Sequence, residues 1–164
     1  MESNLLVTFD PVHEESVKAE IEAIAKEVDK GLKIEKVEDG LAELEADNPR
    51  EVIKALSNID KAKFKYTFYW WPVDEWCGSS LEDIQNCIKK IQEGIKPEEK
   101  WKMDLAKRKV TQKYPKDIII KLTEVVDKQK VDLKNPDKII KVEIVSDKAA
   151  ISLLTPTEIF NTKS

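Results

Sequence analysis

Apolar positions recur along the chain at two spacings, and the spacing switches repeatedly. Asn4 to Phe9 is a short apolar run closed by Asp10-Pro11, as in a strand entering a turn. From Glu14 to Lys30, Val17, Ile21, Ile24 and Val28 return every three or four residues with acids opposite, which predicts a helix that Gly31 stops. Leu32, Ile34 and Val37 read as strand, Asp39-Gly40 as a hairpin turn, and Leu41–Leu44 as the returning strand. Asn48 caps a second helix whose first turn holds Pro49 and whose buried stripe is Val52, Ile53, Leu56 and Ile59. Ala62 to Trp70 predicts a strand with Phe64, Tyr66, Phe68 and Trp70 on one face. The order is βαββαβ, the ferredoxin-like pattern, with helices on one face of an antiparallel sheet. That fold carries no function by itself.

Trp71 to Gly78 reads as the join between two halves. Ser79 or Ser80 then caps a helix to about Gly94, with Ser80 and Asp83 as the capping signal and Leu81, Ile84, Ile88 and Ile91 as its stripe. Pro97-Glu98-Glu99 reads as a turn, and Trp101, Met103 and Leu105 alternate with polar residues as a strand. Tyr114 to Asp127 predicts a helix led by Pro115, and Asn135-Pro136-Asp137 a turn. Ile139–Val145 and Ala149–Leu154 predict two strands joined around Ser146-Asp147-Lys148. The expected architecture is α+β: a ferredoxin-like domain over 1–70, then a second α/β domain over 71–164. No internal repeat is visible.

Charge divides the chain the same way. Of 164 residues 37% are charged, for a formal net charge of −4. Met1 to Asp60 holds 7 Lys/Arg against 16 Asp/Glu, whereas Lys61 to Ser164 holds 21 against 16. Such asymmetry points to two parts with different tasks. No apolar run reaches the roughly 18 residues of a membrane span, and no secretory leader is visible, so a cytoplasmic protein is expected. Cys77 and Cys87 then read as reduced thiols.

The sequence offers no catalytic constellation. The single histidine, His13, precedes a helix and has no evident partner, which reads as a solvated or capping residue. Two cysteines ten apart, without a second pair or a companion histidine, do not have zinc-ligand spacing. Four scattered glycines form no phosphate loop, so no metal and no cofactor is expected. A small hydrolase of acylphosphatase type would need an Arg and an Asn around an anion, and the first half offers only Arg50, inside a helix.

The chemistry that remains is basic. Lys100, Lys102, Lys107, Arg108, Lys109, Lys113 and Lys116 fall in seventeen residues with one acid, Asp104. Lys128, Lys130, Lys134, Lys138 and Lys141 follow. Gathered on one side, such cations neutralise several phosphates together, and the arginine can grip one with two donors. The bland alternative is a solvated lysine-rich surface. Tyr69, Trp71 and Trp76 are candidate base-stacking platforms, with core packing as their alternative.

Three stretches carry a resemblance. Trp71-Pro72-Val73 to Cys77 with Ser80-Leu81-Glu82-Asp83-Ile84 is similar to the opening of the THUMP domain in the adaptor proteins of tRNA cytidine acetylation. Lys100-Trp101-Lys102-Met103-Asp104-Leu105-Ala106-Lys107-Arg108 is similar to that family's strand ending in a basic pair. Lys130-Val131-Asp132-Leu133-Lys134-Asn135-Pro136-Asp137, with Val142-Glu143-Ile144 and Ala150-Ile151-Ser152-Leu153-Leu154, resembles its C-terminal signature. The resemblance covers about Tyr69 to Phe160, and the short, highly charged chain also resembles archaeal members.

The resemblance implies a non-catalytic protein that holds tRNA, often at the acceptor end, for a separate acetyltransferase making N4-acetylcytidine. That enzyme would use acetyl-CoA and ATP, and this chain neither. With no room for an attached methylase, thiolation or deaminase domain, the chain looks like the stand-alone class. Lys102, Lys107, Arg108, Lys109, Lys113 and Lys134 are the expected phosphate contacts, with Asn135 and Pro136 shaping the neighbouring loop. The family's pattern is not followed throughout: the total charge is acidic and the basic pair holds one Arg. A protein–protein module without RNA binding, working through the acidic half, is the alternative.

Overall fold

Each strand of the first unit begins where alternation meets a local stop signal. In the computed structural model, which describes residues 2–164, β1 (Leu5–Phe9) leads through a short 3-10 turn to α1 (Glu14–Val28). β2 (Lys33–Glu38) and β3 (Leu41–Glu45) form a hairpin whose turn residues, Asp39 and Gly40, have φ of 52° and 83°. Both angles lie in the left-handed region that a tight two-residue hairpin requires. α2 (Pro49–Leu56) starts at Asn48, whose side chain accepts the Glu51 N–H at 3.3 Å. β4 (Thr67–Pro72) closes the sheet in the order β2-β3-β1-β4, all antiparallel. Leu5, Val7, Phe9, Ala42, Leu44 and Trp70 pack against Val17, Ile21, Ile24, Val52, Ile53 and Leu56. This is the expected ferredoxin-like arrangement.

The second unit has its own sheet and core. β5 (Glu75–Gly78) is followed by α3 (Leu81–Ile91), capped by the Ser80 hydroxyl, which accepts the Asp83 N–H at 3.0 Å. β6 (Trp101–Arg108), α4 (Ile118–Thr123), β7 (Lys138–Val145) and β8 (Lys148–Leu154) complete it. The sheet order is β5-β8-β7-β6, with β6 parallel to β7 and the other pairs antiparallel. Trp101, Ile140, Val142, Ile144, Ala149 and Ile151 bury against Ile84, Ile88, Ile118 and Leu122. β9 (Phe160–Asn161) then pairs with β4 in the first sheet.

Four expectations change. The strand expected from Ala62 begins only at Thr67, because Asp60 accepts the Ala62 N–H to make a 3-10 turn over Lys61–Lys63. The N–H groups of Lys65, Tyr66 and Thr67 go to the Glu20 carboxylate at 2.7, 3.0 and 2.9 Å, rather than to a neighbouring strand. The helix expected over Tyr114–Asp127 shrinks to Ile118–Thr123, since Tyr114 ties its hydroxyl to the Ser79 carbonyl. Residues 75–78, read as a join, are a strand. Last, the chain divides not at 70/71 but into residues up to Val73 plus Thr157–Ser164, and Asp74–Pro156. The final segment returns because β4 offers an open edge, and Thr162 Oγ1 donates to the Thr67 carbonyl at 2.5 Å.

Candidate nucleic-acid interface

β6 carries most of the expected site, and its alternation sorts the side chains. Trp101, Met103 and Leu105 join the helix-covered core. Lys102, Asp104, Ala106 and Arg108 take the other face. The parallel register sets Asp104 beside Lys141 and Ala106 beside Glu143. Lys102 Nζ lies 3.5 Å from Asp104, and Arg108 Nε donates to Glu143 at 2.8 Å. Glu143 is only 2% exposed, so its charge depends on those neighbours. Burial lowers the Lys141 ammonium pKa, while Glu143 and Asp104 push it back up. This face is a lattice of alternating charges. Arg108, expected to grip a phosphate, is committed to a buried carboxylate.

Lys107 and Lys109 are exposed, and Lys109 turns the chain with a left-handed φ of 47°. The following loop is pinned rather than loose. Thr111 Oγ1 donates to the Ser146 carbonyl at 3.4 Å, Gln112 Nε2 to Ser79 Oγ at 2.8 Å, and the Tyr114 hydroxyl to the Ser79 carbonyl. Exposed Lys113 and Lys116 are thereby held near the start of α3. From Leu105 to Lys116 the chain contains no carboxylate.

Lys134, Asn135 and Pro136 sit elsewhere. Val131 bridges Trp101 at the opposite end of β6. At about 3.3 Å per residue that places them roughly 20 Å from the Lys107 end. The expected basic residues therefore form two groups instead of one cluster. Asn135 was expected to shape this loop, but the side chain that ties it is Asp132. Asp132 Oδ1 accepts the N–H groups of both Lys134 and Asn135 at 3.0 Å. Those bonds, then Lys100, hold its carboxyl below the ordinary aspartate range.

The aromatic candidates also separate. Trp71 is 1% exposed and packs inside, so it offers no platform. Tyr69 is 43% exposed, and Trp76 is covered by the Lys148 ammonium 4.2 Å from its ring centroid. Cys77 and Cys87 are free thiols that meet between β5 and α3, which ten-residue spacing did not reveal. Their hydrogen bond lowers the Cys77 pKa and, with burial, raises that of Cys87. Among the described residues no group of three or more His, Cys, Asp or Glu side chains is placed to hold a metal ion. No helix there is long and apolar enough to cross a membrane.

The roles of Ser79 in holding the 109–117 loop, of Asp132 in tying its turn and of Glu143 in pairing with Arg108 were not read from the sequence. Only Glu143 leaves a signal: an acid between Val142 and Ile144 in a buried strand demands a cation beside it.

Residues 78–154 match the sequence model of the THUMP domain. Solved structures with the same fold include PH1313 from Pyrococcus horikoshii, at 18% identity and a TM-score of 0.66, over 93% of this chain and 54% of that one. TrmN from Thermus thermophilus aligns at 14% identity and 0.58, over 93% and 46%. A 4-thiouridine synthetase, solved with RNA and ATP, aligns at 16% and 0.57, over 94% and 41%. The chain thus spans about half the length of the structures it matches. No curated protein matches it.

Proposed function

We propose that this chain, whose second unit contains a THUMP domain, binds tRNA and presents it to a modification enzyme carried on another polypeptide. The observation that carries the reading is the THUMP match over residues 78–154, ending its first long strand in an exposed basic loop. THUMP domains are associated with RNA binding and tRNA modification, and this loop has the chemistry for phosphate. Lys107, Lys109 and Lys113 are exposed on a segment tied down by side-chain hydrogen bonds, and no acid occurs in sequence from Leu105 to Lys116, so phosphates bound there replace counterions. Arg108 acts indirectly by holding β6 to β7 through Glu143. Lys134 provides a second contact at the other end of the strand.

The chain itself is not a catalyst in this reading and uses no cofactor. Its resemblance to the adaptors of tRNA cytidine acetylation supports an acetyltransferase as the partner, in the cytoplasm, with the tRNA acceptor end as the part held. Nucleoside mass spectrometry of tRNA from cells lacking the chain tests this. N4-acetylcytidine falls to background, with other modified nucleosides unchanged; an undiminished level of it removes the acetylation role.

A further inference from the structure

Cys77 and Cys87 are ten apart in sequence yet meet in the fold. Cys77 precedes the Ser80 cap by three residues, roughly 10 Å of extended chain. Cys87 follows the cap by seven, roughly 10 Å of helix. A helix that doubles back over its strand therefore sets the two thiols at one level. Cys77 packs against the core that holds Cys87, Ile84 and Ile88. The turn between them is close, since an added Cβ at Gly78 would overlap the Asp83 carboxylate on the first turn of α3. The Cys87 thiol donates a hydrogen bond to the Cys77 sulfur. A disulfide sets its sulfurs about 2 Å apart, so only a small movement separates this contact from a bond.

The two thiols differ as sequential oxidation requires. Cys77 is half-buried, whereas Cys87 is 4% exposed. The hydrogen bond from Cys87 favours thiolate at Cys77, against burial and the Asp83 and Glu75 carboxylates. Thiolate is the nucleophilic form of cysteine. Glu75 shares a face of β5 with Cys77, and Asp83 lies over Gly78. These acids repel an anionic oxidant and leave a small neutral one free to approach.

We propose that Cys77 and Cys87 form a reversible oxidation site, which hydrogen peroxide closes to an intramolecular disulfide between β5 and α3. The Cys77 thiolate attacks one peroxide oxygen, forming an S–O bond as the O–O bond breaks. The departing hydroxide takes up the proton that Cys77 released and leaves as water. The Cys87 sulfur then attacks the Cys77 sulfur. The S–S bond forms, the S–O bond breaks, and the hydroxyl leaves with the Cys87 proton as a second water. Two electrons pass from the thiols to one peroxide. The cross-link also steadies the basic loop. β5 is a four-residue strand at the edge of its sheet, where local opening is easiest. Ser79, which holds Gln112 and Tyr114, follows it directly. Once β5 is tied to α3, that anchor no longer swings away. The steadying bears on tRNA only through the role proposed for the loop.

The test treats the reduced, intact protein with dilute hydrogen peroxide and maps its cysteines by peptide mass spectrometry. Peptides joined through Cys77 and Cys87 appear, short of two hydrogens, and dithiothreitol restores both thiols. In Cys87→Ser, dimedone traps a sulfenic acid at Cys77. In Cys77→Ser, Cys87 stays unmodified. Trypsin cuts the disulfide form after Lys113 several-fold more slowly than the reduced form, a difference absent from Cys87→Ser. Peroxide that leaves both thiols free, joins two chains, or stops at an oxygen adduct on Cys77 of the parent overturns the proposal. A disulfide that forms with cleavage after Lys113 unchanged overturns the steadying of the loop. Neither readout involves tRNA, so a failure of the tRNA reading leaves both as they are.

Discussion

Arg108 and Lys107 are adjacent in sequence and have opposite fates. Lys107 ends in solvent, while Arg108 reaches a glutamate that is 2% exposed. Arg108→Ala leaves that buried carboxylate short of a donor, a loss of about 1–3 kcal/mol. Thermal melting of the variant falls by several degrees, whereas Lys107→Ala melts with the parent. Equal melting of both variants removes the structural role given to Arg108. A second residue-scale prediction concerns acid. The Asp132 carboxyl is held below its ordinary value of 3.8 by the N–H groups of Asn135 and Lys134. A depressed folded-state pKa means the bond stabilises the folded chain above the ordinary value and is lost as pH falls through the lower one. NMR titration of Asp132 therefore gives a midpoint under 3.8, and a midpoint at or above it contradicts the turn geometry. The lowered Cys77 thiol likewise reacts with iodoacetamide before Cys87, read by peptide mapping. Modification of Cys87 first contradicts that order.

At the scale of elements, what was legible in sequence was local. Asn48 and Ser80 cap their helices because a short polar side chain reaches an N–H three residues ahead, a rule needing no distant contact. Asp39-Gly40 turns for a similar reason. The misread elements depend on partners far along the chain. Glu20, on α1, captures three N–H groups of residues 65–67, and alternation of aromatics there could not reveal it. Ser79 holds the 109–117 loop through Gln112 and Tyr114, which shortens the helix that apolar spacing had extended. Basic residues were visible as a run, but which of them face solvent was set by the register of β6 on β7. Glu20→Ala tests the first case: it unties the entry to β4 and costs about 1–3 kcal/mol in denaturant unfolding. An unchanged midpoint means those N–H groups are satisfied by water.

For the molecule as a whole, the charge division seen in sequence corresponds to two folded units, though not at the expected boundary. The tRNA claim concerns the second unit, where 17 Lys/Arg only slightly outnumber 15 Asp/Glu between Asp74 and Pro156. Net charge is thus too weak to drive binding, and placement has to do it. Three exposed lysines on a pinned, acid-free loop are that placement. Lysines that touch phosphate lower the salt slope by roughly 0.7–0.9 per contact removed. The direct measurement is filter binding of tRNA between about 50 and 200 mM salt, with the parent and the Lys107→Ala, Lys109→Ala, Lys113→Ala triple variant. The parent binds with an affinity that falls on the order of tenfold or more across that range; the variant binds at least tenfold more weakly and with a flatter slope. A parent that does not bind, or a variant that follows the parent's curve, contradicts the account.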